Sequence, residues 1–104
     1  MPGTIKIRAQ LEGNVTTVKA LIKHPMETGA RKDPKTGELI PAHFIQELTA
    51  EHNGNNVMTA LWSGGISANP YISFKFTGAN KGDKITVNWV DNKGEKDSAT
   101  AEIA

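Results

Sequence analysis

No cysteine occurs among the 104 residues. Its absence removes disulfides, thiolate nucleophiles, iron–sulfur ligation and covalent sulfur chemistry on this polypeptide. It leaves the redox compartment open, because a cysteine-free chain suits either one. Long apolar runs are missing as well: none approaches the roughly 18 residues needed to cross a bilayer, so no membrane role is expected. The N-terminal MPGTIKIRAQ has neither an apolar stretch of signal-peptide length nor a small-residue cleavage site. Read alone, the chain is expected in the cytosol unless another protein exports it. No sign of charge prevails: 12 basic and 11 acidic residues leave a formal net charge of +1. That balance gives no support to nucleic-acid binding, which usually shows as a basic stripe.

What the chain does have is alternation with a period of two. Ile5, Ile7 and Ala9 share one face, with Lys6, Arg8 and Gln10 on the other, the mark of a half-buried strand. Glu12-Gly13-Asn14 supplies a turn, and a second strand runs from Val15 to Lys23, where Ala20-Leu21-Ile22 is apolar on both faces. Pro25 ends that ladder because it has no N–H to donate. Phe44 to His52 reads as a strand feeding the turn Asn53-Gly54-Asn55 and a returning arm from Val57 to Trp62. Helix is a rival reading for AHFIQELTAEH, since Phe44 and Leu48 also recur at helical spacing. Tyr71 to Thr77, Lys84 to Val90 and a last strand carrying Ala99, Ala101 and Ile103 complete the pattern. Seven short strands in one domain spanning residues 1–104 predict an all-β fold, an immunoglobulin-like antiparallel β-sandwich.

Two loops concentrate the reactive groups. The first contains HPMETGARKD, from His24 to Asp33, with an imidazole, carboxylates, cations and a thioether. The second is SGGISANP, leading into Tyr71. The three histidines, His24, His43 and His52, are too widely separated for a local metal-binding motif. A metal-binding or small redox site centred on His24, Glu27 and Asp33 is nonetheless the alternative to a purely recognitional loop. The carboxylates Glu27, Asp33 and Glu38 lie beside Arg31, Lys32 and Lys35, a mixture more typical of weak surface pairs than of an acid–base pocket. None of Ser63, Ser67, Ser73 and Ser98 sits in a nucleophile elbow, and Gly64-Gly65 fits no phosphate-binding pattern. Pro25 and Pro34 stiffen the first loop and Pro70 the second, which lowers the entropy lost on docking to a partner.

The HPME run resembles a stretch in superoxide reductases, sandwich domains that hold iron with four histidines and one cysteine. Three histidines and no cysteine cannot assemble that set. A resemblance of far greater extent joins HPMETGARKD, IPAHFI, NGNNVMTALW, ISANPYISFKF and KITVNWVDNKGEKDSATAEI. Together these segments resemble the SoxZ subunits of bacterial thiosulfate-oxidising systems, from about Thr4 to Ile103. The resemblance implies an immunoglobulin-like sandwich without catalytic residues or cofactors. It also implies a SoxY-type partner that carries sulfur intermediates on a cysteine in a glycine-rich arm. The pair would work in the periplasm, this chain exported with its partner, in transient contact with other enzymes of the pathway. On that basis His24, Pro25, Met26, Glu27, Arg31, Lys32, Asp33, Asn69, Pro70 and Tyr71 are candidate docking residues. Ala20, Leu21, Ile22, Val57, Met58 and Trp62 are candidates for the subunit interface.

Overall fold

The structure, a computed structural model, describes residues 3–62, 66 and 68–104. Seven strands form: β1 (Ile5–Glu12), β2 (Val15–Ile22), β3 (Ile45–His52), β4 (Asn55–Leu61), β5 (Tyr71–Thr77), β6 (Lys84–Asp91) and β7 (Lys96–Glu102). They pair antiparallel into two sheets, ordered β1-β2-β5 and β4-β3-β6-β7. The described residues contain no helix, and the all-β sandwich read from alternation is the fold. The body is elongated, 53 × 21 × 21 Å. Ser63, Gly64, Gly65 and Ser67, read above for nucleophile and phosphate-binding patterns, lie outside the described residues.

The core lies where the alternating apolar faces meet. Val18 and Ile22 of β2, Leu48 of β3, and Ile85, Val87 and Trp89 of β6 are all but sealed from solvent. Each such aliphatic side chain contributes about 1.5–3 kcal/mol relative to leaving it in water. Trp89 satisfies its one polar atom by donating Nε1–H to Thr4 Oγ1 at 3.1 Å. Thr4 Oγ1 in turn donates to Asp97 Oδ2 at 2.5 Å. An indole can be buried here because that relay exists.

Strand β3 explains the helical ambiguity of its sequence. A β-bulge between Ile45 and Glu47 shifts its register against β6. Gln46 is the extra residue, and its carbonyl accepts the N–H of Trp62 at 2.9 Å. The bulge lets Ile45 and Leu48 both face the core although three positions apart, a spacing that imitates a helix.

Burial corrects part of the expected subunit interface. Ala20 and Ile22 point between the sheets and are core, with 1% and 0% of their surface exposed. They cannot meet a partner, because alternate residues of a strand face opposite sides. Leu21 alone of that triplet points outward, 43% exposed. Val57, Met58 and Trp62 are half-buried against the edge of the core, together with Ile72, Phe74 and Phe76 of β5. Strands β4 and β5 are outer strands of their sheets, so this flank of the sandwich is less completely covered than its centre.

Candidate functional site

The segment between β2 and β3 is a ribbon rather than an irregular loop. Glu27 and His43 pair antiparallel, as do Lys32 and Leu39. Asp33 turns the tip: its Oδ1 accepts Lys35 N–H at 2.8 Å, and its carbonyl accepts Gly37 N–H at 2.8 Å. Gly37 has φ +73°, a conformation open to glycine at little cost. Near the base, Gly29 has φ +88° and lies close against Ala42, where an added Cβ would come within 3.2 Å of the alanine methyl.

Three contacts lock this ribbon onto the sandwich. Met26 adopts φ +50°, an unusual conformation for a bulky residue. That turn buries its side chain, 5% exposed, and places Sδ to accept Ile45 N–H at 3.4 Å. His24 is 3% exposed, and its ring stands edge-on to Trp89 with centroids 5.1 Å apart. The second loop closes over the same point: Asn69 N–H donates to the His24 carbonyl at 2.8 Å, and Asn69 Oδ1 accepts His24 N–H at 3.0 Å. The two loops singled out in the sequence are therefore stitched together at His24 and Asn69.

The imidazole of His24 meets two residues far away in sequence. His24 Nδ1 accepts Met26 N–H at 3.1 Å, so the proton of the neutral ring sits on Nε2. That Nε2–H donates to Asp91 Oδ2 at 3.1 Å. His43, just before β3, brings Nε2 to 2.7 Å from the same oxygen. The other carboxylate oxygen, Oδ1, accepts the N–H groups of Lys93 and Glu95 at 3.0 and 2.9 Å. Burial alone would push the Asp91 carboxyl upward, but the His24 and His43 hydrogen bonds and the two backbone amides hold it below the usual range. Asp91 is thus a buried carboxylate with all its partners supplied.

No local spacing marks this cluster, yet two of the three histidines do converge. His24, His43 and Asp91 place potential ligand atoms within 4.8 Å of one another, the one group of its kind among the described residues. Metal binding is a poor fit to it. A metal on His24 Nε2 would need both ring nitrogens unprotonated, since Nδ1 already takes a backbone N–H. Asp91 Oδ2 is likewise occupied by two imidazoles. Glu95 Oε2 stands 3.4 Å from His43 Nε2, buried and without a hydrogen bond. The alternative centre does not assemble either: Glu27 pairs with Arg31, at 2.5 and 3.1 Å, and Asp33 organises the tip of the ribbon.

The docking candidates therefore divide. His24, Met26 and Pro70 are buried and cannot touch a partner; they fix the loops from beneath. Pro70 does so through its carbonyl, which accepts Ile22 N–H at 3.0 Å. Pro25, Arg31, Lys32, Asn69 and Tyr71 are exposed, and Glu27 and Asp33 half-exposed. Asp91, missed in the sequence, had one legible signal: an Asp directly before the turn Asn92-Lys93-Gly94 is suited to accept that turn's N–H groups.

Among solved structures, a single-residue variant of superoxide reductase (neelaredoxin) from Ignicoccus hospitalis superposes with a TM-score of 0.68. It is 16% identical, over 96% of this chain and 77% of that one. Superoxide reductase from Nanoarchaeum equitans gives 0.66 at 15% identity, over 95% and 90% of the two chains. A hypothetical protein from Pyrococcus horikoshii gives 0.61 at 18%, over 97% and 88%. At such identities the likeness is one of fold. No curated protein matches the sequence. The family described as sulphur oxidation protein SoxZ matches residues 5–102. The chain belongs to the SoxZ family, and its place is in sulfur oxidation.

Proposed function

We propose that this chain is the non-catalytic subunit of a two-subunit sulfur carrier in thiosulfate oxidation. It holds a SoxY-type subunit, whose cysteine bears the sulfur, and presents that subunit to the enzymes of the pathway. The observation that carries the reading is the absence of cysteine from a SoxZ-family chain: a protein without a thiol contributes to covalent sulfur carriage by holding the protein that has one. The pair would act in the periplasm, this chain exported together with its partner.

Two features of the structure support the division of labour. The flank formed by β4 and β5 leaves Val57, Met58, Trp62, Phe74 and Phe76 half-covered, an apolar strip suited to a lasting subunit contact. The ribbon, held from beneath by His24, Met26 and Asp91, presents Arg31, Lys32 and Pro25 outward on a rigid base. A rigid, charged surface loses little entropy on docking and suits brief, specific contacts.

The test is reconstitution. The chain is expected to form a one-to-one complex when mixed with its cysteine-bearing partner, and to turn over no sulfur compound on its own. An isolated chain that stays monomeric beside that partner, or that converts thiosulfate alone, would overturn the proposal. Stoichiometric iron, copper or zinc in protein purified from native cells would favour the metal-binding alternative.

A further inference from the structure

The outer face of the β1-β2-β5 sheet collects charge that the whole-chain balance conceals. Strand register places Lys6 and Arg8 of β1, Lys19 of β2 and Lys75 of β5 on that face, and Lys23 continues it past the end of β2. Among the described residues, the only carboxylate on those strands' outer face is Glu12. The face therefore carries 5 − 1 = +4, and the remainder of the chain 7 − 10 = −3, out of a total of +1.

These cations are not engaged elsewhere. Among the described residues, no ion pair involves any of the five, whereas Arg31 pairs with Glu27 and Lys84 with Glu102. Arg8 lies directly opposite Lys19 across the β1–β2 ladder. Like charges directly opposite one another across a ladder are destabilising. A pairing that disfavours the fold makes physical sense where an anion relieves the repulsion.

The face is furrowed as well as basic. A depression of about 320 Å³ lies among Lys6, Arg8, Lys19, Leu21 and Tyr71. A second, about 290 Å³, shares Lys6 and Leu21 and reaches Lys23 and Asn69. A third, about 170 Å³, shares Arg8 and Lys19 and runs to Glu12. Leu21 and Tyr71, cross-strand neighbours, stand 43% and 59% exposed in this setting and offer apolar anchors between the charges. Eight residues of β2 span roughly 26 Å, the length of an extended peptide of about eight residues.

From this geometry we propose that the furrow binds an acidic, extended segment of a partner protein. Carboxylates would lie between the Arg8–Lys19 pair and Lys6, with an apolar side chain against Leu21 and Tyr71. A protein segment fits better than nucleic acid, because a long polyanion would run off this face onto a remainder of net charge −3. Charge and shape carry this reading whether or not the chain acts as a carrier subunit.

The experiment is a titration of the ¹⁵N-labelled chain with a decaglutamate peptide carrying one central tyrosine. Amide shifts are expected to follow β1, β2 and β5, with affinity falling about tenfold between about 50 and 200 mM salt. Lys19→Glu should weaken binding at least about tenfold while holding or raising Tm, since the introduced carboxylate would face Arg8. Lys81→Glu, the same charge change in the exposed turn between β5 and β6 and outside all three depressions, should retain most of the binding. Equal loss in both variants, or shifts spread over lysines on every surface, would reduce the effect to net charge and overturn the proposal. So would tighter binding of a short RNA, equal binding of inorganic sulfate, or self-association of the chain through this face.

Discussion

His24 and Asp91, 67 positions apart, meet through a 3.1 Å hydrogen bond from imidazole Nε2 to carboxylate Oδ2, and both are buried. The direction of that bond is fixed from the far side of the ring, where Nδ1 accepts Met26 N–H. The consequence can be tested with Asp91→Asn. If the amide oxygen keeps the Lys93 and Glu95 N–H groups, its NH2 faces the N–H of both imidazoles. Three donors would then converge with no acceptor. The variant should lose roughly 2–4 kcal/mol in urea denaturation, and amides of the ribbon should exchange faster than those of β6.

Acid should act through the same carboxylate. Asp91 is held below the usual range against the effect of burial. Asp83 is lowered, first by its hydrogen bond from His52. Asp97 is pushed up by burial but lowered overall by Thr4 and the Ser98 amide. A depressed folded-state pKa means that the unfolded chain takes up protons first as pH falls. Stability from these groups is thus complete at neutral pH and is lost progressively below about pH 4. Tm should vary little from about pH 7 to pH 5 on their account and drop steeply below about 4. The Asp91→Asn variant should show a shallower drop.

Gly29 offers a check on the rigidity of the ribbon. Its φ of +88° and the 3.2 Å approach to the Ala42 methyl oppose any side chain in two ways. Gly29→Ala is expected to cost about 1–3 kcal/mol, whereas Gly13→Ala, with open space around it, should cost only its backbone share of about 1 kcal/mol. Equal losses measured by chemical denaturation would show that the packing against Ala42 is immaterial.

Arg31→Glu separates folding from docking. The Arg31 side chain is 60% exposed and its partner Glu27 lies four residues earlier on the same ribbon. A pair open to solvent on the arginine side adds little stability, so Tm should fall by no more than a few degrees. If the ribbon docks pathway enzymes, turnover of the reconstituted system should fall several-fold. Unchanged turnover would remove Arg31 from the docking surface.

Strand positions are legible because burial on one side of a strand imposes a period of two, and that period is written in Ile5-Ile7-Ala9 and Ile85-Val87-Trp89. The ambiguity at Phe44 to His52 comes from the bulge at Gln46, which breaks that period for a reason that lies in its pairing with β6 and Trp62. The loops are legible as places of interest, but not which side of them faces out. His24 and Met26 read as surface groups in a charged run and Pro70 as part of an open loop, and packing turns all three inward.

Local alternation and turn chemistry thus determined the strands, and the cysteine-free composition bounded the chemistry, because both are properties of neighbouring residues or of the whole list. Only the tertiary structure decided that His24 and His43 share the Asp91 carboxylate, and that five cations without an ion pair among the described residues gather on one sheet face. Contacts between residues dozens of positions apart depend on register and on the closing of two sheets, and neither leaves a mark in the spacing of residues along the chain.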